Sequence, residues 1–133
     1  MRLSRKSEYA LLALVDLARN FEKKLVTISD LAETNEIPQK YLEQILILLK
    51  QSGFVRSVRG PSGGYKLSKD PSKITTAEVI RSIDGPLAPV VSVSLHYYEA
   101  TPIEKCQKLK VLLRDIRDYA SNKLENTTIS DLI

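Results

Sequence analysis

The chain is short of the residues that build metal centres and thiol chemistry, because its 133 residues include one cysteine, one histidine and no tryptophan. The lone Cys106 leaves no intrachain disulfide, and Cys106 with His96 cannot complete a closed zinc site of four ligands. No third side chain is evident that would orient these two as nucleophile and base. We interpret Cys106 as a half-buried thiol and His96 as a surface residue that could still bind a metal ion or titrate.

Long apolar runs are also missing, since no stretch of about 18 apolar residues is present to span a membrane. The charged start of the chain lacks the apolar segment of a secretory signal peptide, so we expect a cytoplasmic protein. The glycine-rich stretch near Lys66 does not match a nucleotide-binding phosphate loop, because Tyr65 stands where that pattern needs glycine. The length suits one domain with a helical extension.

Positive charge is present in modest excess, with a net charge of +4 and a pI near 9.2. The distribution of the cations is more informative than their number. Many fall in the first 73 residues, around one predicted helix and one predicted hairpin: Arg2, Arg5, Lys6, Lys40, Arg56, Arg59, Lys66, Lys69 and Lys73. This pattern favours a polyanionic partner.

Three helices are predicted before residue 54. The first covers about residues 4–20, and the second covers residues 28–35 behind an N-cap at Thr27. The third begins with Pro38 as its first helical residue and is closed by Gly53 in the left-handed conformation. Two helices joined by so short a connection are typical of a helix-turn-helix unit.

The third helix is predicted to have a packed side and a polar side. Apolar residues at helical spacing would fill the core: Tyr41, Leu42, Ile45, Leu48 and Leu49. The other faces then carry Gln39, Lys40, Glu43, Gln44 and Ile47. A short polar strip on a packed helix suits a groove of double-stranded DNA, which we expect as the partner.

A β-hairpin and two further helices are predicted after this unit. Strand residues flank a glycine turn, which makes the hairpin a wing: Phe54, Val55 and Val58, then Gly60, Gly63 and Gly64, then Tyr65 and Leu67. Thr75 and Glu78 form a capping box for a fourth helix that stops at Asp84 to Pro86. A weak pattern over residues 86–102 predicts a loop, and a long amphipathic helix is predicted from about Ile103 to Glu125.

The fold class is therefore mainly α with a small β wing. We divide the chain into a winged helix-turn-helix DNA-binding domain over residues 1–85, a loop over 86–102, and a dimerisation helix with a C-terminal tail over 103–133. The apolar stripe of the last helix has two possible roles. It either packs on its own chain or pairs with its twin in a homodimer, and DNA half-sites favour the homodimer.

Several motifs resemble one bacterial winged-helix regulator family, which includes the iron-sulfur regulator IscR, the nitric-oxide sensor NsrR and the cysteine-metabolism repressor CymR. The resemblance spans nearly the whole chain. It is carried by the start Met1–Lys6 with Tyr9, by Tyr41–Gln44, by the wing Ser57–Tyr65, by Ile74–Gly85 and by the ending Thr127–Leu132.

The resemblance, together with side-chain chemistry, implies a DNA-binding surface made of Arg2, Ser4, Arg5, Lys6, Gln39, Lys40, Glu43, Gln44, Arg59, Gly60, Ser62 and Gly63. Gln44 can pair with adenine, and Glu43 can accept a hydrogen bond from the amino group of cytosine. Arg59 can enter a minor groove or hold a phosphate. The alternatives are solvated surface side chains and, for Ser4, a helix cap.

Cluster-binding members of the family hold an iron-sulfur cluster (2Fe-2S) through three cysteines that precede the long helix. Cys106 matches the third cysteine, whereas the other two positions fall near Ser92 and near Ala100 or Thr101, and none of these is cysteine. One thiolate is far short of the usual ligand set, so we expect no cofactor in this chain. Either the chain senses something else, or its cysteines were replaced.

The sequence as a whole predicts a homodimeric, sequence-specific transcription regulator and no enzyme. We expect it to act as a repressor on an imperfect palindrome, with an effector at residues 90–106 that sets its DNA affinity and that could be a protein. The dimer interface is expected at Leu109, Leu112, Leu113, Ile116 and Tyr119. The alternative is an interaction protein that binds a metabolic enzyme, with DNA binding secondary.

Overall fold

The computed structural model describes residues 2–95 and 97–133. Met1 and His96, and with His96 the hypothesis that it binds metal or titrates, lie outside the described residues. The helices are α1 (Arg5–Arg19), α2 (Ile28–Asn35), α3 (Gln39–Gln51), α4 (Thr76–Asp84) and α5 (Gln107–Glu125), and the strands are β1 (Val55–Val58) and β2 (Gly64–Leu67). The mainly helical architecture with one small sheet is the fold class that the sequence predicts.

Side-chain caps set the starts of the first two helices. The Ser4 hydroxyl accepts a hydrogen bond from the backbone N–H of Ser7 at 3.1 Å, and the Thr27 hydroxyl accepts one from Asp30 at 3.1 Å. These bonds satisfy amides that have no partner within the helix. Pro38 precedes α3 instead of being its first helical residue, so α3 starts one residue later than predicted.

The core of the N-terminal unit is centred on α3. Leu42, Ile45, Leu46 and Leu49 are buried, whereas Tyr41 and Leu48 are only half-buried. The predicted core face was therefore misplaced, because it included Leu48 and omitted Leu46. The run of apolar residues from Ile45 to Leu49 fits more than one helical face, and the contacts of α3 with α1, α2 and β1 bury the face that contains Leu46.

The wing is anchored to the unit by a contact between distant residues. β1 and β2 pair antiparallel from Val55 with Leu67 to Val58 with Gly64. The backbone of Val26 then pairs with Tyr65 through two hydrogen bonds of 3.0 and 2.7 Å. At Gly64 a Cβ would lie 2.8 Å from the Val26 carbonyl oxygen, so glycine permits this close approach.

The C-terminal third departs from the prediction at the start of its long helix. The segment after α4 contains 3₁₀ turns at Val91–Val93 and Pro102–Lys105, and α5 begins at Gln107 instead of near Ile103. The non-helical backbone of Cys106, with φ −127° and ψ 87°, separates the second turn from α5.

The last residues of the chain return to the N-terminal unit. The backbone N–H of Ile129 donates to the Ile74 carbonyl at 2.9 Å, and the N–H of Thr76 donates to the Thr127 carbonyl at 2.9 Å. Ile129 is completely buried. Among the helices of the described residues, none combines the length and apolar character needed to cross a bilayer.

Candidate nucleic-acid interface

The polar strip of α3 faces solvent. Gln39, Lys40, Glu43 and Gln44 are all exposed, on the side of the helix away from its buried leucines and isoleucine. Gln39 also contacts the start of α2, because its Oε1 atom accepts a hydrogen bond of 3.4 Å from the Ser29 hydroxyl. The amides and charges of the strip are therefore available for contacts with another molecule.

The start of α1 lies against the start of α3. The rings of Tyr9 and Tyr41 meet edge to face with centroids 5.6 Å apart and an interplanar angle of 78°. Arg2 and Arg5 are exposed, and Ser4 and Lys6 are half-buried. The packing of the two tyrosines joins the helix that carries Arg5 and Lys6 to the helix that carries the polar strip.

Ser4 has a defined structural task. Its hydroxyl caps α1 by accepting from Ser7, which is the role that the sequence left as an alternative to phosphate binding. The cap leaves the Ser4 backbone N–H outside the helix, and this N–H donates to the Asp84 carboxylate at 2.8 Å.

The wing presents its tip to solvent beside the α2 start. Arg59, Gly60 and Ser62 are exposed, and Gly63 is half-buried. A cleft of about 440 Å³ runs between the wing and the first residues of α2, and Arg59 and Lys50 line it. The twelve residues assigned to DNA thus lie on the surface, on three elements: the α1 start, the α3 start and the wing.

Sequence reasoning missed the contact of Lys50 with the wing. The Nζ atom of Lys50 donates to the Ser57 hydroxyl at 2.9 Å and so ties the last turn of α3 to β1. The only local signal for Lys50 is a cation in the last turn of a helix, which is common for helix-dipole reasons alone. The contact with the wing depends on a fold that the local pattern does not specify.

The segment between α4 and α5 is braced by side chains of the chain itself. Arg117 donates from Nη1 to the Val93 carbonyl at 2.9 Å, and Ser92, Val93 and Ser94 are buried. The carboxylate of Glu104 accepts hydrogen bonds from Lys110 and from the Tyr98 hydroxyl.

These contacts shift the pKa values of the segment's acid and phenol. The Lys110 ammonium, followed by the Tyr98 hydroxyl, holds the pKa of Glu104 below its ordinary value. The carboxylate of Glu104 in turn raises the pKa of Tyr98.

The residues near the expected cluster position do not fit an iron-sulfur cluster. Cys106 is exposed, not half-buried as predicted, because it lies at the non-helical junction before α5. Ser92 is buried, Ala100 offers no donor, and the Thr101 hydroxyl faces the backbone of Ile103. Within residues 2–95 and 97–133, no three His, Cys, Asp or Glu side chains are grouped to hold a metal ion.

The α5 helix exposes an apolar face. Leu109, Leu112, Ile116 and Tyr119 are exposed, the last to 76%, and Leu113 is half-buried. No residue of α5, all of which the structure describes, is buried.

Comparison with known proteins identifies the family. The sequence model of the Rrf2 family, described as an iron-dependent transcriptional regulator, matches residues 3–133. The chain is 34% identical over 132 residues to the transcriptional regulator CymR of Bacillus subtilis, covering 99% of this chain and 89% of CymR. It is 35% identical over 144 residues to the regulator IscR of Escherichia coli, covering all of this chain and 80% of IscR.

Solved structures agree with this result. The structure of CymR, the global cysteine regulator of B. subtilis, has a TM-score of 0.86 at 32% identity, covering 99% of this chain and 95% of that one. CymR of Staphylococcus aureus has a TM-score of 0.73 at 30% identity, covering 97% and 95%. The chain therefore belongs to the Rrf2 family of winged-helix transcriptional regulators, as a DNA-binding regulator and not an enzyme.

Proposed function

We propose that this regulator binds duplex DNA with the α3 start, the α1 start and the wing, and that it reads sequence with Gln44 and Glu43. The observation that carries the proposal is the exposed polar strip of α3, a helix that packs through Tyr41 on Tyr9 of α1, where Arg5 and Lys6 also lie. Amide and carboxylate side chains distinguish base edges, whereas Lys and Arg hold phosphates. The twelve surface residues assigned from the sequence retain these roles.

We further propose that the active form is a homodimer on an imperfect palindrome. The apolar face of α5 supports this, because an amphipathic helix draws most of its stability from packing of that face. A second copy would cover the face and place two α3 helices on half-sites about one helical turn apart. In this proposal residues 1–85 bind DNA, residues 86–102 form the connecting loop, and residues 103–133 supply the dimer contacts.

Repression is the proposed direction of regulation. A dimer that covers a promoter excludes polymerase without needing any other contact. The effector would act at residues 90–106, where Leu95, Tyr97 and Tyr98 are exposed and could be recognised by a protein. The donor set of this segment does not favour a cluster, so we propose that the chain works without one.

The test is a binding titration with a duplex operator selected from random sequences, followed by fluorescence anisotropy. The selected duplex is expected to bind far more tightly than a scrambled one at physiological salt, and its affinity is expected to fall steeply as salt rises. Equal affinity for both duplexes would contradict the regulator proposal. In vitro transcription from a promoter that overlaps the operator tests repression, and increased transcript would contradict it.

A further inference from the structure

Asp84 links two distant parts of the chain. It is the last residue of α4 and immediately precedes the segment that leads to α5. Its Oδ2 atom accepts a hydrogen bond of 2.8 Å from the backbone N–H of Ser4, which lies 80 residues away at the start of α1. The carboxylate therefore joins the N-terminal end of the proposed DNA surface to the beginning of the segment between α4 and α5.

The position of this carboxylate does not help its own helix. A negative charge at the C-terminal end of a helix opposes the helix dipole, whereas a negative charge at an N-terminal end favours it. Asp84 lies at the C-terminal end of α4 and at the N-terminal end of α1. Its charge thus disfavours α4 and stabilises the first turn of α1.

The surroundings of Asp84 hold it in the charged form. Partial burial would raise its pKa, but the hydroxyl and N–H of Ser4 and the charge of Lys6 together lower the pKa below its ordinary value. The Ser7 side chain is completely buried, and its hydroxyl has no hydrogen bond of good geometry within the described residues. These groups all belong to the first turn of α1.

We propose that Asp84 is a positioning residue that holds the first turn of α1, with Arg2, Arg5 and Lys6, in place for DNA and couples it to the segment after α4. This inference rests on the proposed function. The segment begins at Gly85, which has φ +84°, and its Leu87 is buried in a cluster with Ala77 and Ile80 of α4. A shift of this segment therefore moves the α4 end, and Asp84 transmits the shift to Ser4.

Substitution of Asp84 should change DNA affinity in opposite directions depending on whether the residue positions α1 or acts only through its negative charge. Asp84→Asn removes a negative charge near the cations, so charge alone would tighten binding to any DNA. Positioning predicts the opposite for the selected operator, with a loss of about tenfold, because a charge-assisted hydrogen bond is weakened and the cations lose their fixed placement. Binding to a scrambled duplex should stay the same or rise.

The matched control is Asp70→Asn. Asp70 also caps a backbone amide, that of Ser72, at 2.8 Å, and its pKa is also lowered, first by the Ser72 hydroxyl. It is exposed and precedes a short turn, so its substitution should leave operator affinity unchanged. Circular dichroism on each variant gives the folded fraction. If Asp84→Asn fails to fold, Asp84→Glu replaces it, with weaker operator binding and unchanged scrambled binding expected.

The coupling is tested with a double-mutant cycle that uses Arg117→Ala, which removes the hydrogen bond from α5 to the Val93 carbonyl. Arg117→Ala alone is expected to change operator affinity severalfold. Added to Asp84→Asn, it is expected to leave the affinity of that variant unchanged. Independent effects, or no effect of Arg117→Ala alone, would overturn the coupling. Operator affinity of Asp84→Asn equal to or above that of the parent would overturn the positioning role. Failure of the parent chain to prefer any duplex would instead refute the proposed function.

Discussion

Individual residues on the α3 strip divide into those that distinguish bases and those that hold the backbone. Gln44 and Glu43 carry groups that can match a base edge, whereas Lys40 carries a point charge suited to phosphate. All three are exposed. Their substitution by alanine therefore tests DNA recognition with little change in packing.

Gln44→Ala and Glu43→Ala should each lose about 1–3 kcal/mol of preference at particular base pairs. Lys40→Ala should instead weaken binding to all sequences. It should also make the plot of log affinity against log salt concentration shallower by about one unit of slope. Competition titrations with single-base operator variants at several salt concentrations measure both effects. If Gln44→Ala binds every operator variant as the parent does, the base-reading face has been assigned to the wrong residues.

Cys106 is the residue on which cofactor chemistry would depend. Purification or reconstitution without oxygen should yield no stable iron-sulfur cluster, because serine and threonine are poor donors to iron compared with thiolate. Iron and acid-labile sulfide assays with visible absorption measure this. About one cluster per chain in the unaltered protein would contradict the prediction.

A restored ligand set is the control for this experiment. Ser92→Cys combined with Ala100→Cys or with Thr101→Cys gives three thiols, and cluster binding by either variant would show that only ligands are missing. Failure of both would show that the pocket is unsuitable too, as the burial of Ser92 and the exposure of Cys106 suggest.

Elements with a local signal could be predicted from the sequence, whereas contacts between distant residues could not. The capping box of Thr75 and Glu78 forms as expected, because both of its hydrogen bonds lie within four residues. The backbone hydrogen bonds between Val26 and Tyr65 and between Ile129 and Ile74 join residues distant in sequence, so no local pattern predicted them. The family resemblance and side-chain chemistry predicted a DNA surface, whereas the Lys50 and Asp84 contacts depend on the assembled fold.

The wing is the element in which a single methyl group should have the largest effect. A Cβ at Gly63 would lie 2.1 Å from the Val58 carbonyl oxygen and 2.9 Å from that of Gly60. Gly63→Ala should therefore lower the free energy of unfolding by about 1–3 kcal/mol and weaken operator binding as the hairpin shifts Arg59. Denaturant unfolding and anisotropy measure the two effects.

Two control substitutions distinguish the effect of the wing backbone conformation from the effect of the Arg59 charge. Ser62→Ala at the exposed tip should leave the unfolding free energy unchanged. Arg59→Ala should also leave it unchanged but should weaken DNA binding, because the wing cation is lost. Full operator affinity in Arg59→Ala would remove the wing from the interface.

The whole molecule has apolar surface that a single copy does not cover. Leu112 is 55% exposed on α5, and a separate groove of about 540 Å³ beside α1 is lined partly by apolar side chains such as Leu12 and Leu132 and partly by polar ones such as Glu8. Exposed apolar area of this kind marks interaction surfaces. A second copy of the chain would cover such area in both subunits at once, because a two-fold interface repeats every contact.

The dimer prediction is tested by placing charge on the apolar face of α5. Leu112→Glu with Ile116→Glu should give a monomer, because two carboxylates would have to be buried without partners. The monomer should lose operator affinity by orders of magnitude, since linking two half-site contacts raises the effective concentration of the second. Sedimentation measures the mass, and Arg114→Glu, a charge change at an exposed residue on the opposite side of α5 from the apolar stripe, is the control. An unchanged dimer in the double variant would assign the α5 face to contacts within one chain and leave the dimer interface elsewhere.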